Sequence, residues 1–181
     1  CLIFFPVIMN TKPDILHKKC LHIYIMSTRG KISKCDDFNT PAEAWELIMK
    51  HIDLAGKKVW LPFFNDGDIK FEHSEIIHQD KDFFTYEPDE YDYIIDNPPF
   101  SIKQQVLERC VSLKKPFALL LPIETLERKY FKLLVKDQDF TMIIPNKRYN
   151  FVGGSNKKNV MFKSCFYCFG FGFDKQLIFE D

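Results

Sequence analysis

The chain has 181 residues, the length of one ordinary domain. Its hydrophobic content of 46% and charged content of 28% exclude a disordered or fibrous protein. Lysine and arginine together number 25, as do aspartate and glutamate, so the formal net charge is zero. Taken alone, that balance argues against a protein that binds nucleic acid.

The charge is unevenly distributed along the chain. Residues 36–96 carry sixteen acidic and five basic side chains. Between Asp139 and Asp174 there is no acidic residue. Five basic residues fall in that window, namely Lys147, Arg148, Lys157, Lys158 and Lys163. This basic window is either a solvated loop or a surface that contacts phosphates.

Residues 1–25 mix apolar and basic side chains without clean periodicity. The apolar run over residues 1–9 is too short for a membrane span of ~20 residues, and it lacks the pattern of a secretory signal. The six cysteines are dispersed, which favours a reducing compartment. We therefore expect an intracellular protein that is neither secreted nor membrane-bound. We expect residues 1–25 to be a non-native or disordered extension and residues 26–181 to form a single domain.

The first predicted helix begins at a clear start signal. Thr40 stands as an N-cap, Pro41 occupies the first helical position, and Glu43 is placed to close a capping box. Gly56 predicts the end of this helix. Short apolar runs predict strands at residues 59–63, 75–78 and 91–95.

Helices alternate with apolar strands in the second half of the chain. The predicted helices lie at residues 102–113 and 126–135, and the predicted strands at residues 117–121 and 140–144. Residues 148–152 and 164–171 flank a Gly-Gly loop and predict a β-hairpin. The alternation predicts a three-layer, Rossmann-like α/β fold, with a mostly parallel sheet and an antiparallel C-terminal hairpin.

Cys165 and Cys168 form a single CxxC pair within an aromatic run. A structural zinc site usually needs a second such pair or histidine partners at regular spacing, and neither is present. We therefore favour two small buried hydrophobic residues over a metal or redox site, and we expect no metal.

The third strand runs straight into Asn97-Pro98-Pro99-Phe100, at the strand end where ligands bind in such sheets. Two prolines fix the backbone so that the Pro98 carbonyl and the Asn97 side-chain carbonyl converge. Two converging acceptors match an amino group with two hydrogens, and Phe100 offers a face on which an aromatic ring stacks. The alternative is that the prolines only end the strand and Phe100 is a core residue.

This tetrapeptide, after a hydrophobic strand, resembles the catalytic motif of S-adenosylmethionine-dependent amino-methyltransferases, in particular the N6-adenine DNA methyltransferases. Four other segments are similar to further motifs of that family, in the same order and spacing over roughly residues 36–172. They are residues 38–41 (the N-terminal cofactor motif), 60–67 (the glycine-rich cofactor loop), 82–84 (the acidic-aromatic motif beside the cofactor's adenine) and 147–151 (the segment that helps to hold the target base).

The resemblance implies transfer of a methyl group from S-adenosylmethionine to adenine N6 in DNA. The implied catalytic residues are Asn97, Pro98, Pro99 and Phe100, and Phe100 and Phe151 would bracket a flipped adenine. The implied cofactor contacts are Phe38, Thr40, Pro41, Pro62, Phe63, Asn65, Gly67, Asp80, Asp82 and Phe83. The implied nucleic-acid contacts are Lys147, Arg148, Lys157 and Lys158, in addition to the two aromatic rings.

Two positions depart from the family pattern. Leu61 stands where an acidic residue is usual, and Asn65 stands where the first glycine of the cofactor loop is usual. These departures leave open a degenerate fold that binds nucleic acid or a partner without catalysis. Since similar Asn-Pro-Pro motifs serve methylation of RNA adenine and of protein glutamine, the same chemistry on either acceptor is a further alternative. No separate target-recognition domain is predicted, and we expect a monomer.

Overall fold

The computed structural model of the protein describes residues 38–63, 71–79, 81–153 and 163–181. Within these ranges there are nine strands and three α-helices. The strands are β1 (Phe38–Asn39), β2 (Lys58–Trp60), β3 (Glu75–Ile77), β4 (Tyr93–Asp96), β5 (Phe117–Pro122), β6 (Phe140–Ile144), β7 (Val152–Gly153), β8 (Ser164–Phe169) and β9 (Leu177–Phe179). The helices are α1 (Ala42–His51), α2 (Lys103–Leu113) and α3 (Lys129–Leu134). Short 3-10 turns at Phe100–Ile102 and Ile123–Glu127 precede α2 and α3.

Seven strands form one mixed sheet in the order β3-β2-β4-β5-β8-β6-β9. Four of its six pairings are parallel, and β8 runs antiparallel to both of its neighbours, β5 and β6. The predicted α/β class with a mostly parallel sheet is thus confirmed. The edge strand β9 was not anticipated from the sequence.

Helices cover both faces of this sheet. Ile48 of α1 packs with Ile95 in the hydrophobic cluster on one face. Leu107 of α2 and Phe131 of α3 pack with Leu119 in the cluster on the other face. Because both faces are covered, every residue of β5 is buried, which accounts for its continuous apolar sequence.

The predicted C-terminal hairpin is wrong. Strand β8 lies between β5 and β6. Strand β7 instead pairs antiparallel with β1, so that Phe38 faces Gly153 and Asn39 faces Val152. Every residue of β8 is buried, and an interior position in the sheet gives such a strand backbone partners on both sides.

The start and end of α1 also differ from the prediction. Pro41 is the N-cap, and no side chain caps the helix, so the predicted capping box is wrong. The helix ends at His51 because Ile52 adopts an extended backbone, which lets its side chain pack into the core. Gly56 has a φ of +69° in the turn that leads to β2, a conformation that suits glycine.

The burial predicted for Cys165 and Cys168 is confirmed. Both thiols are buried and free. They lie three positions apart on β8, so their side chains point to opposite faces of the sheet and join different hydrophobic clusters. This arrangement prevents the two sulfurs from binding one metal ion together.

Candidate functional site

The topology of the sheet places a crevice at the carboxyl ends of β2 and β4. From β2 the chain passes to β3 on one side, and it then returns to β4 on the other side of β2. The segments that follow β2 and β4 therefore diverge, and such a switch point is where open α/β sheets bind ligands. Residues 61–63 and 97–100 border this crevice.

Asp96, the last residue of β4, joins these two segments. Its side chain is 2% exposed. One carboxylate oxygen accepts a hydrogen bond of 2.6 Å from the backbone N–H of Phe63, and the other accepts one of 2.7 Å from the N–H of Asn97. Burial raises the pKa of Asp96 to about 7, although both N–H groups act in the opposite direction.

Sequence reasoning assigned no role to Asp96. The available signal was its position, since it is an acidic residue that directly follows a buried strand and precedes the Asn-Pro-Pro motif. Its hydrogen bond to Phe63 spans 33 positions and depends on the pairing of β2 with β4.

The side-chain amide of Asn97 is held in one orientation. Its Nδ2 donates a hydrogen bond of 2.8 Å to Oγ1 of Thr40. Its Oδ1 is buried and has no hydrogen-bond partner among the described residues. The site therefore contains one unused acceptor, and leaving such a group buried without a donor is costly. The helix-cap interpretation of Thr40 is wrong, because the Thr40 hydroxyl binds Asn97 instead.

The two prolines both end β4 and begin the next helix. Pro98 is buried, and Pro99 keeps an extended backbone. The carbonyl of Pro99 then accepts the N–H of Ile102 at 3.2 Å, which closes the 3-10 turn ahead of α2. This abrupt change of direction puts Phe100 directly after the strand end, at the crevice.

The pairing of β1 with β7 brings two distant motifs to the same crevice. Thr40 directly follows β1, and Phe151 directly precedes β7. The rings of Phe100 and Phe151 lie edge to face, with centroids 6.4 Å apart and planes at 89°. The two rings are thus adjacent, as the proposed base contacts require, but they are not parallel plates. A base between them requires one ring to turn.

Two of the predicted cofactor contacts have clear structural roles near β2. The backbone of Phe63 is bound to Asp96, and its ring packs at 4.9 Å from the ring of Phe83. Phe83 is 1% exposed and also contacts Trp60 at 5.4 Å. Phe83 therefore supports the crevice from the core, and its contact with a cofactor stays a prediction.

Asp82 organises its own turn. Its Oδ1 accepts the N–H of Phe84 at 3.0 Å, and its Oδ2 accepts the hydroxyl of Thr85 at 3.3 Å. These bonds match the interpretation of Asp82 as a turn carboxylate. A contact with a cofactor stays a prediction for Asp82, as it does for Pro41, which is half-buried, and for Pro62, which is buried.

The departure at Leu61 has a packing explanation. The Leu61 side chain is fully buried in the hydrophobic cluster that contains α1. An acidic side chain at this position would place a charge among apolar groups, which is energetically costly. The buried carboxylate at this edge of the sheet is supplied by Asp96 on the neighbouring strand.

The structure places the remaining predicted residues as follows. Lys147 and Arg148 are exposed in the segment between β6 and β7. Phe38 is described only through its backbone pairing in β1. Five predicted contacts lie outside the described residues, namely Asn65, Gly67, Asp80, Lys157 and Lys158.

Among the described residues, no three His, Cys, Asp or Glu side chains are grouped so that they could hold a metal ion. No helix in the same part of the chain has the length and apolar character needed to cross a bilayer. No protein-family model matches the chain, and no curated protein matches it significantly.

Proposed function

We propose that this protein transfers a methyl group from S-adenosylmethionine to the N6 amino group of adenine in DNA. The observation that carries the proposal is the buried, unused Oδ1 of Asn97 at the switch point between β2 and β4. A buried acceptor without a donor is suited to a substrate that brings an N–H group.

The orientation of the Asn97 amide supports an amino substrate in particular. Because Nδ2 is bound to Thr40, the group that faces the substrate is an acceptor. In the proposed reaction Oδ1 accepts one hydrogen of the amino group, and the Pro98 carbonyl accepts the other. These two bonds orient the amine and draw its lone pair out of conjugation with the ring. Transfer would be direct, without a covalent enzyme intermediate: the bond from nitrogen to the methyl carbon would form as the carbon–sulfur bond breaks. The cofactor would leave as a neutral thioether, and the methylated nitrogen would release one proton to water.

The segments that border the crevice suit a cationic cofactor. Residues 61–63 and 97–100 contain no basic side chain, and they include the Asn97 amide and two aromatic rings. Thr40, Pro41 and Phe63 are the described residues that would hold the cofactor, which supplies a methyl group activated on a sulfonium. The buried Asp96 adds an acidic group at the same edge.

Exposed charge next to the aromatic pair favours nucleic acid as the acceptor. Lys147 and Arg148 are exposed, and they lie four and three positions before Phe151, respectively. Cationic side chains beside a stacking ring combine phosphate contact with base stacking. This juxtaposition favours a DNA or RNA adenine over a protein glutamine.

Labelled S-adenosylmethionine tests the proposal directly. The purified protein is incubated with duplex DNA, single-stranded DNA, structured RNA and a glutamine peptide, and the products are identified by mass spectrometry. We expect N6-methyladenine in DNA. A product in RNA or in the peptide alone would transfer the proposal to that acceptor, and no binding of the cofactor in a calorimetric titration would support a non-catalytic binding module.

Asn97→Ala is the decisive variant. We expect it to lower kcat by about 100-fold or more while the affinity for the cofactor changes little, because it removes the acceptor that orients the amine. Asn146→Ala is the matched control, since Asn146 is exposed and its side chain bonds the backbone of Asp181. An Asn97→Ala protein with the wild-type rate would contradict the assignment.

A further inference from the structure

Asp96 is the one buried acidic or basic side chain among the described residues. No lysine, arginine or histidine among the described residues contributes to the shifted pKa of Asp96. A buried carboxylate without a cationic partner destabilises a folded protein. The burial of Asp96 at the crevice therefore indicates a role that offsets this energetic cost.

Both oxygens of Asp96 are engaged by backbone N–H groups from different segments. The bond to Phe63 reaches the segment after β2, and the bond to Asn97 reaches the segment after β4. Asn97 in turn bonds Thr40, which directly follows β1. A continuous series of hydrogen bonds thus links the three segments that border the crevice.

The opposite end of the same strand pair provides a comparison. There the carboxylate of Asp92 accepts the backbone N–H of Lys58 at 2.8 Å, and Asp92 is only partly buried. Both carboxylates connect β2 with the β4 segment, one at each end. The carboxylate at one end of this strand pair is thus half-buried, whereas the carboxylate at the crevice end is fully buried.

Resting on the proposed function, we propose that ionised Asp96 is a positioning residue of the methyl-transfer site. It holds the backbone of Phe63 and of Asn97 together, so that the cofactor segment and the amine acceptor keep a fixed separation. An ionised carboxylate accepts at both oxygens. A protonated carboxyl group keeps one strong acceptor, its carbonyl oxygen, and the hydrogen bond to its hydroxyl oxygen is weakened.

Two other titratable groups lie close to this series of hydrogen bonds, namely Cys110 and His78, whose Nδ1 lies 3.0 Å from the carbonyl oxygen of Leu61. Cys110 of α2 is the titratable group that interacts with Asp96 from across the packed face. Burial raises the pKa of the Cys110 thiol far above neutrality, so it stays uncharged. The adjacent strands β2 and β5 contribute no charged group that acts on Asp96.

The test compares wild-type protein, Asp96→Asn and the control Asp92→Asn in the methyl-transfer assay. For the wild type, kcat/KM for the cofactor should fall about tenfold per pH unit below a midpoint near 7. Asp96→Asn retains one acceptor, so its activity should be lower by about tenfold or more at high pH and independent of pH through this range. Asp92→Asn should keep the wild-type profile.

Amide NMR signals provide a readout that needs no catalysis. In the wild-type protein without cofactor, the backbone amide signals of Phe63 and Asn97 should titrate together with a midpoint near pH 7. Signals that do not respond to pH in this range would overturn the proposal, even where Asp96→Asn fails to fold.

The two proposals fail in different ways. If the wild type methylates none of the acceptors, the proposed function is wrong, and so is the role of Asp96 in that reaction. Methyl transfer with an unchanged rate and pH profile in folded Asp96→Asn leaves the function standing and overturns the positioning role alone.

Discussion

Asn97 and Thr40 are joined by a hydrogen bond of 2.8 Å across 57 positions of the chain. Because Thr40 receives the Nδ2 group, the Oδ1 atom of Asn97 is left as a buried acceptor without a partner among the described residues. The hydroxyl of one motif thus determines which face of the amide another motif offers to a ligand.

Thr40→Val removes this hydroxyl and keeps the side-chain shape. We expect kcat to fall by about tenfold, because Nδ2 loses its partner and the amide is free to turn. The free energy of unfolding should change by only about 1 kcal/mol. Steady-state kinetics and urea denaturation measure the two effects separately.

Thr40→Ser keeps the hydroxyl and should restore most of the rate. Thr141→Val is the matched control, since the Thr141 hydroxyl on β6 bonds the backbone carbonyl of Lys175 and has no part in the site. If Thr40→Val and Thr141→Val show equal kcat values, the Thr40 hydroxyl does not orient Asn97.

The buried carboxyl of Asp96 predicts a specific dependence of stability on pH. Its pKa is raised from the ordinary value of 3.8 to about 7, with burial as the main cause. Between these values the folded protein holds a proton that the unfolded chain releases. The stabilisation is complete below the unfolded pKa and is lost as the pH rises through about 7, with a total on the order of 4 kcal/mol.

Asp96→Asn lacks this ionisation. Denaturation of both proteins from about pH 4 to about pH 8 should therefore show the wild type losing stability relative to Asp96→Asn as the pH rises. Two curves that stay parallel over this range would show that the carboxyl group is not perturbed by burial.

The exposed pair Lys147 and Arg148 predicts salt-sensitive binding of nucleic acid. Replacing both by alanine should weaken DNA binding and reduce the slope of log K against log salt by about 2, because two phosphate contacts are lost. Fluorescence anisotropy at several salt concentrations measures this slope.

Lys132→Ala with Lys136→Ala is the charge-matched control, because both lysines are exposed at the end of α3 or just after it. An equal loss of slope in the two double variants would mean that the effect reflects net charge and not the position beside Phe151.

Local patterns predicted most of the elements. The strand at Phe140–Ile144 occupies the predicted residues, and α2 begins one residue after the predicted start and ends where Lys114 adopts the left-handed conformation. These boundaries depend on periodicity and on end signals that neighbouring residues carry. The Asn-Pro-Pro-Phe motif was visible for the same reason, because its four residues are contiguous.

Pairings between distant segments were not predictable in this way. The apolar sequence of β8 indicates a buried strand, but it does not specify which neighbours the strand pairs with. Its place between β5 and β6 depends on how the seven-stranded sheet assembles. The separate pairing of β1 with β7 likewise joins segments more than 100 positions apart.

Local sequence patterns were enough to predict the α/β class, the order of most elements and the location of the Asn-Pro-Pro-Phe motif at a strand end. The hydrogen bond from Asn97 to Thr40 and the link that Asp96 makes between the segments after β2 and β4 became evident only in the folded chain. The physical reason is the separation along the chain over which each kind of interaction acts. Periodicity and turn signals act over a few residues, whereas these hydrogen bonds form only once parallel strands bring separated segments to one edge of the sheet.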